Sequence, residues 1–146
     1  MDILLDTGFL VALIVKPKNE KETMQHETAK QMLKTHCMDN FHTVWECVTE
    51  ACHLLNKDSR QILLKWLKEF GVKIHASQEH ELPEMAAYMA KYGNVSNGHG
   101  ADFADVAMVF LAARLKTTHI FTIDRADFDT YRTRSGKPFN RLWVKY

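Results

Sequence analysis

The chain has 146 residues, 46% of them hydrophobic and 25% charged, with a formal net charge of +1 at pH 7. That composition excludes a disordered tail, a collagen-like fibre and a uniformly polybasic nucleic-acid binder, and the length fits one domain spanning residues 1–146. The charge is uneven: residues 1–105 carry 15 acids against 11 Lys and Arg, whereas residues 106–146 carry 3 acids against 8.

Three cysteines, Cys37, Cys47 and Cys52, form no CxxC pair and fit no common zinc spacing. They read as free thiols of a protein in a reducing, cytoplasmic compartment. The longest uncharged apolar stretch near the start, Gly8 to Val15, is far shorter than the ~20 residues a membrane span needs. It follows two aspartates rather than a basic segment, so neither a span nor a signal peptide is expected.

Along the chain, Ile3-Leu4-Leu5 predicts a buried strand closed by the turn Asp6-Thr7-Gly8. Thr7 is a candidate cap for an apolar helix from Phe9 to Val15, stopped at Pro17. Glu20 to His36 is amphipathic, with Met24, Ala29, Met32 and Leu33 on one face. Phe41–Val44 predicts a second strand and Val44–Leu55 a helix. Asp58 or Ser59 is expected to cap the next helix, whose stripe Ile62, Leu63, Trp66, Leu67 and Phe70 ends at Gly71. Val72-Lys73-Ile74 predicts a third strand, and Leu82–Tyr92 a helix with Pro83 in its first turn. The Gly- and Asn-rich stretch 93–100 predicts a loop, followed by a helix over Asp102–Leu115. His119–Ile123 is β-branched and aromatic, the strongest strand signal, and ends at Asp124. Arg141–Val144 can add a last strand. Strands alternating with helices predict an α/β fold: a central parallel sheet of four to five short strands with helices on both faces. Ligands of such sheets bind beyond the carboxyl ends of the strands, which points to Asp6 and Asp124.

Acids stand out at Asp6, Glu50, Asp102, Asp105 and Asp124. Each has a local explanation. Asp102 fits a helix N-cap, Asp105 an acid in a first turn, Asp6 and Asp124 turns after strands. Glu50 lies in a mostly apolar helix and needs a base or a cation as partner. Gathered at one sheet edge, such carboxylates suit a hard divalent cation, Mg²⁺ or Mn²⁺. There is no HExxH, GxxxxGKS or GxGxxG, so zinc hydrolases and the common nucleotide-binding loops are not indicated.

In its opening ILLDTGFLVAL, its helix TVWECVTEACHLL, its segment ADFADVAMVFLAARL and its strand end IFTIDRADF, the sequence resembles PIN domains, the nuclease fold of VapC-type toxins. The third and fourth of these stretches are the most specific, and the resemblance runs over nearly the whole chain. It implies a metal-dependent endoribonuclease, the toxin of a type II toxin–antitoxin pair. Asp6, Glu50, Asp105 and Asp124 are then the catalytic, metal-binding carboxylates, with Asp102 as an extra acid and Glu46 as a rival for Glu50. One or two Mg²⁺ or Mn²⁺ ions activate a water that attacks phosphorus. Thr7, Thr122, Arg125, Arg132 and Arg134 are the candidate RNA-binding residues, with Lys137 and Arg141 also in the basic third. The implied partners are RNA, an antitoxin protein and a second copy of the chain in a homodimer. The alternative is a regulatory PIN-like module that binds nucleic acid or protein without catalysis.

Overall fold

The short apolar run at the start of the chain becomes the central strand of a five-stranded sheet. In the computed structural model, which describes residues 1–95, 98–123 and 125–142 (without the side chains of 125 and 126), β1 spans Asp2–Leu5, β2 Asn40–Val44, β3 Lys73–His75, β4 His119–Phe121 and β5 Asn140–Arg141. The order is β3-β2-β1-β4-β5 and every pairing is parallel. Ile3, Leu4 and Leu5 have no exposed surface, as a strand covered on both faces requires. The sheet order reverses direction between β1 and β4. A crevice therefore opens beyond the carboxyl ends of those two strands.

The helices are α1 (Thr7–Ile14), α2 (Glu20–Thr35), α3 (Trp45–Leu54), α4 (Lys57–Phe70), α5 (Leu82–Lys91, preceded by a 3-10 turn at Glu79–Glu81), α6 (Phe103–Leu115) and α7 (Arg125–Thr130). α6 is apolar all round and buries nine consecutive residues, Ala104 to Ala112. Such a helix belongs inside a core rather than on its surface. Burial of Val106, Met108, Val109, Phe110 and Leu111 stabilises the fold by on the order of 10 kcal/mol before chain entropy is counted. Phe9 of α1 meets Phe121 of β4 at 5.1 Å between ring centroids, and Phe41 of β2 lies 5.8 Å from the same ring.

Several caps and faces differ from expectation. Asp6, not Thr7, caps α1, because its carboxylate accepts the Thr7 backbone N–H. Asn56, not Asp58 or Ser59, caps α4, accepting the Ser59 N–H. Gly71 ends α4 at φ +79°, the left-handed conformation that a glycine adopts without strain. Of the expected apolar stripes, Ala29, Met32, Leu33, Leu63 and Leu67 are buried, but Met24, Ile62 and Phe70 are exposed. Lys116 ends α6 at φ +53°. A side-chain-bearing residue there costs about 1–2 kcal/mol. Strand β4 stops at Phe121, two residues before the expected end, and the final strand is described only as Asn140–Arg141. Residues 143 and 144 of the expected last strand lie outside the described residues.

Candidate active site

The turn after β1 concentrates polar chemistry in a buried place. Asp6 is 3% exposed. One of its oxygens accepts the Thr7 backbone N–H at 2.8 Å, and the other accepts the Thr122 hydroxyl at 2.8 Å. Its own N–H donates to the carbonyl of Phe121. The two loops that leave β1 and β4 are thereby tied together at the crevice. Gly8 completes the joint: a Cβ on it would sit 2.6 Å from the Ile123 side chain. Only a residue without a side chain permits that approach unless Ile123 moves.

Thr7, the first residue of α1, donates its hydroxyl to Glu50 at 3.0 Å. This bond crosses 43 residues and brings α3 to the same edge. The carboxyl of Glu50 is shifted above its ordinary value, first by burial and then by the charge of Asp102, with the Thr7 hydrogen bond opposing both. Asp102 caps α6 and accepts the Asp105 backbone N–H at 2.8 Å. Asp105, one turn on, is buried, and Tyr131 donates to its carboxylate at 2.9 Å. Burial, followed by the charge of Asp105, pushes the Tyr131 phenol well above its usual range, so it remains the donor. Beneath these groups lies the Cys47 thiol, raised by burial and by the charges of Asp6, Asp105 and Glu50. Thr7 links two of these carboxylates directly, its N–H donating to Asp6 and its hydroxyl to Glu50.

On the outer side, a cavity of ≈600 Å³ lies between α3 and the start of α6, lined by Trp45, Glu46, Glu50, His53, Asp102 and Phe103 among others. One Glu46 oxygen is buried with no hydrogen-bond partner among the described residues. A buried carboxylate oxygen left in that state is costly. The three carboxylates that line it, Glu46, Glu50 and Asp102, are oxygen donors of the kind that suits Mg²⁺ or Mn²⁺, and His53 adds one imidazole to the lining. Glu46 and Glu50 both face this space, so the sequence ambiguity between them is not one of opposite helix faces. Among the described residues, no group of three or more His, Cys, Asp and Glu side chains is set to hold one ion by itself. Asp124, the fourth expected carboxylate, lies outside the described residues.

The candidate RNA contacts are placed differently from expectation. Thr7 and Thr122 are buried, with their hydroxyls committed to Glu50 and Asp6, so both orient carboxylates and neither presents a face to a nucleic acid. Arg132 donates to the carbonyls of Asp129, Thr130 and Tyr131 and closes the end of α7. Arg141 pairs with Asp129. Arg134 pairs with Glu84 and lies 4.4 Å above the Phe110 ring, at the middle of α6 rather than beside the acids at its start. The Arg125 side chain lies outside the described residues. Tyr131 is the member of the site that no sequence signal indicated. Its nearest clue is its place shortly after the IFTIDRADF stretch.

No family model and no curated protein matches the sequence. Among solved structures, the chain is similar to VapC20 of Mycobacterium tuberculosis, described as a toxin that cleaves the sarcin-ricin loop. The two are 16% identical with a TM-score of 0.66, and the match covers 84% of this chain and 90% of that one. At that identity the likeness is one of fold, and the fold is that of a VapC-type PIN domain.

Proposed function

We propose that this chain is a divalent-metal-dependent endoribonuclease and the toxin of a toxin–antitoxin pair, its carboxylates at the β1–β4 crevice forming the hydrolytic centre. The observation that carries this reading is that Thr7 ties two of the carboxylates together, its N–H donating to Asp6 after β1 and its hydroxyl to Glu50 of α3, while Tyr131 holds the third, Asp105 of α6. The cleaving activity of the similarly folded VapC20 toxin supports the choice of RNA. A homodimer and a cognate antitoxin belong to the same reading. No helix among the described residues is long and apolar enough to cross a membrane, and the reading places the protein in the cytoplasm.

In this reading Asp6, Glu50 and Asp105, with Asp124, hold Mg²⁺ or Mn²⁺, and Asp102 and Glu46 flank them. The chemistry that such an ion supplies is polarisation of the phosphodiester and a lowered pKa for the attacking water. The protein's own share is orientation. Thr122 and the Thr7 N–H hold both oxygens of Asp6, Thr7 turns Glu50 inward, and Tyr131 holds Asp105. Fixing three carboxylates from distant segments before substrate arrives removes reorganisation from the chemical step.

The test is cleavage of RNA by the purified chain with Mn²⁺, with EDTA, and in the Asp6→Asn variant. An Asn side chain still accepts the Thr7 N–H, and its amide can donate to the Thr122 hydroxyl, so the fold is expected to survive. Cleavage is expected to fall by at least about a hundredfold with loss of one catalytic charge. Full activity of that variant, or of the parent in excess EDTA, rejects the proposal.

A further inference from the structure

Among the described residues, the Lys and Arg side chains of the basic C-terminal third do not form one basic surface. Arg114 is taken by Glu81, Arg141 by Asp129, and Arg132 by the carbonyls that end α7. Lys116 and Lys137 have no ion-pair partner among the described residues. Both are exposed, and both line the same cavity of ≈540 Å³, together with Arg134, Thr118, Thr133 and Ser135. The cavity lies at the C-terminal end of α6, whereas Asp102 and Asp105 lie at its start. Asp105 and Lys116 are separated along the helix axis by ~16 Å at the α-helical rise.

The cavity has a built floor. The Thr133 hydroxyl accepts the Lys137 backbone N–H at 3.0 Å and lies 3.1 Å from the Ser135 hydroxyl, which closes the turn bearing Arg134 and Lys137 on itself. Arg134 is fixed by its stacking on Phe110 and its pair with Glu84. Opposite, Lys116 occupies a left-handed position where glycine or asparagine is less strained. Three cations and four hydroxyl side chains, those of Thr117, Thr118, Thr133 and Ser135, line one space, and no acid lines it among the described residues; this matches an anion whose oxygens accept several hydrogen bonds. Lysine and hydroxyl side chains are common donors to phosphate.

We propose that this cavity is a phosphate-binding exosite that holds the sugar–phosphate backbone of the substrate RNA at a distance from the scissile bond. The proposal rests on the ribonuclease reading for the identity of the RNA, but not for the phosphate chemistry. It places the attraction for RNA at one end of α6 and the acids at the other. A substrate must then span the helix, which favours folded RNA over short fragments.

The test uses the full chain and the double variant Lys116→Asn, Lys137→Gln. Asparagine suits the left-handed backbone at 116, so thermal stability is expected to hold or rise. Binding of a short labelled RNA hairpin is followed by anisotropy in EDTA, without turnover, across a salt series. Loss of two phosphate contacts is expected to lower the slope of log K against log salt by about 1.4 and to weaken binding about tenfold. With Mn²⁺, KM for the hairpin is expected to rise about tenfold with kcat unchanged. An unchanged salt slope overturns the exosite, whether or not RNA is cleaved. If the parent cleaves no RNA but the slope changes, the exosite stands and the nuclease reading falls. If inorganic phosphate protects the parent but not the variant from thermal unfolding, and the RNA slope is unchanged, the site serves a free phosphate compound and the RNA assignment is overturned. Loss of binding to a polyglutamate peptide with an unchanged RNA slope overturns it in favour of an acidic protein partner.

Discussion

The phenol of Tyr131, which has no exposed surface, donates at 2.9 Å to the carboxylate of Asp105, 26 residues earlier in the chain. Tyr131 follows α7 directly, and its backbone N–H returns to the carbonyl of Asp127. The segment after β4 thus reaches back across the crevice and fixes the acid at the start of α6. Tyr131→Phe removes this donor and keeps the ring. A hydrogen bond to a charged group contributes about 1.5–3 kcal/mol, so denaturant melts of the metal-free protein should show a loss of that order. RNA cleavage should fall severalfold rather than vanish, since Asp105 itself remains. An unchanged melt and unchanged activity would mean that Asp105 is held by other groups.

Asp102 and Asp105 are one turn apart with different duties. Asp102 accepts the Asp105 N–H as the cap of α6, while Asp105 lies buried under Tyr131. Asp102→Ser retains a good cap and removes the charge that raises Glu50. Stability should stay within about 0.5 kcal/mol of the parent, with part of the activity lost. Asp105→Ser should abolish nearly all activity. Equal loss in both variants would assign Asp102 the same direct role.

Thr7 donates to Glu50, and this bond lowers a carboxyl that burial and Asp102 raise. In Thr7→Val the shape is kept and the donor is lost. The Glu50 pKa should therefore move further up, and the fraction ionised at neutral pH should drop. A carbon-13 NMR titration of the metal-free protein measures the shift. A downward or absent shift would contradict the assigned contact.

Away from the crevice, His42 bridges two groups. Its Nε2 lies 2.8 Å from Asp2, and its Nδ1 lies 2.9 Å from His75. Burial lowers the pKa of His75, with the charges of His42, Arg114 and Lys73 acting in the same sense. A base with a depressed folded pKa protonates first in the unfolded chain. It therefore destabilises the fold as pH drops below the unfolded value of about 6.5. Thermal midpoints taken from pH 8 to pH 5 should fall less steeply in His75→Gln. Parallel curves would exclude His75 as the source of acid sensitivity.

Sequence by itself was sufficient where the cause is local. The apolar run of β1 ending at Asp6, the N-cap of α6 at Asp102, the stop at Gly71 and the largely apolar α6 follow from capping, backbone freedom and periodicity within a few residues. The parallel alternation of strands and helices, and with it the polar crevice beyond the strand ends, follows from the same short-range signals. What only the tertiary structure decided are the partnerships between distant segments. Thr7 with Glu50, Thr122 with Asp6, Tyr131 with Asp105 and Asp2 with His42 depend on the sheet order β3-β2-β1-β4-β5. The basic third illustrates the limit best. Composition makes it one positive block, but each described guanidinium finds whichever acid or carbonyl packing brings near. Arg132 and Arg141 are consumed in that way, and Arg134, Lys116 and Lys137 collect at the far end of α6. Net charge is additive along a chain, whereas electrostatic contact depends on distance in space, and that distance is settled by how the core packs.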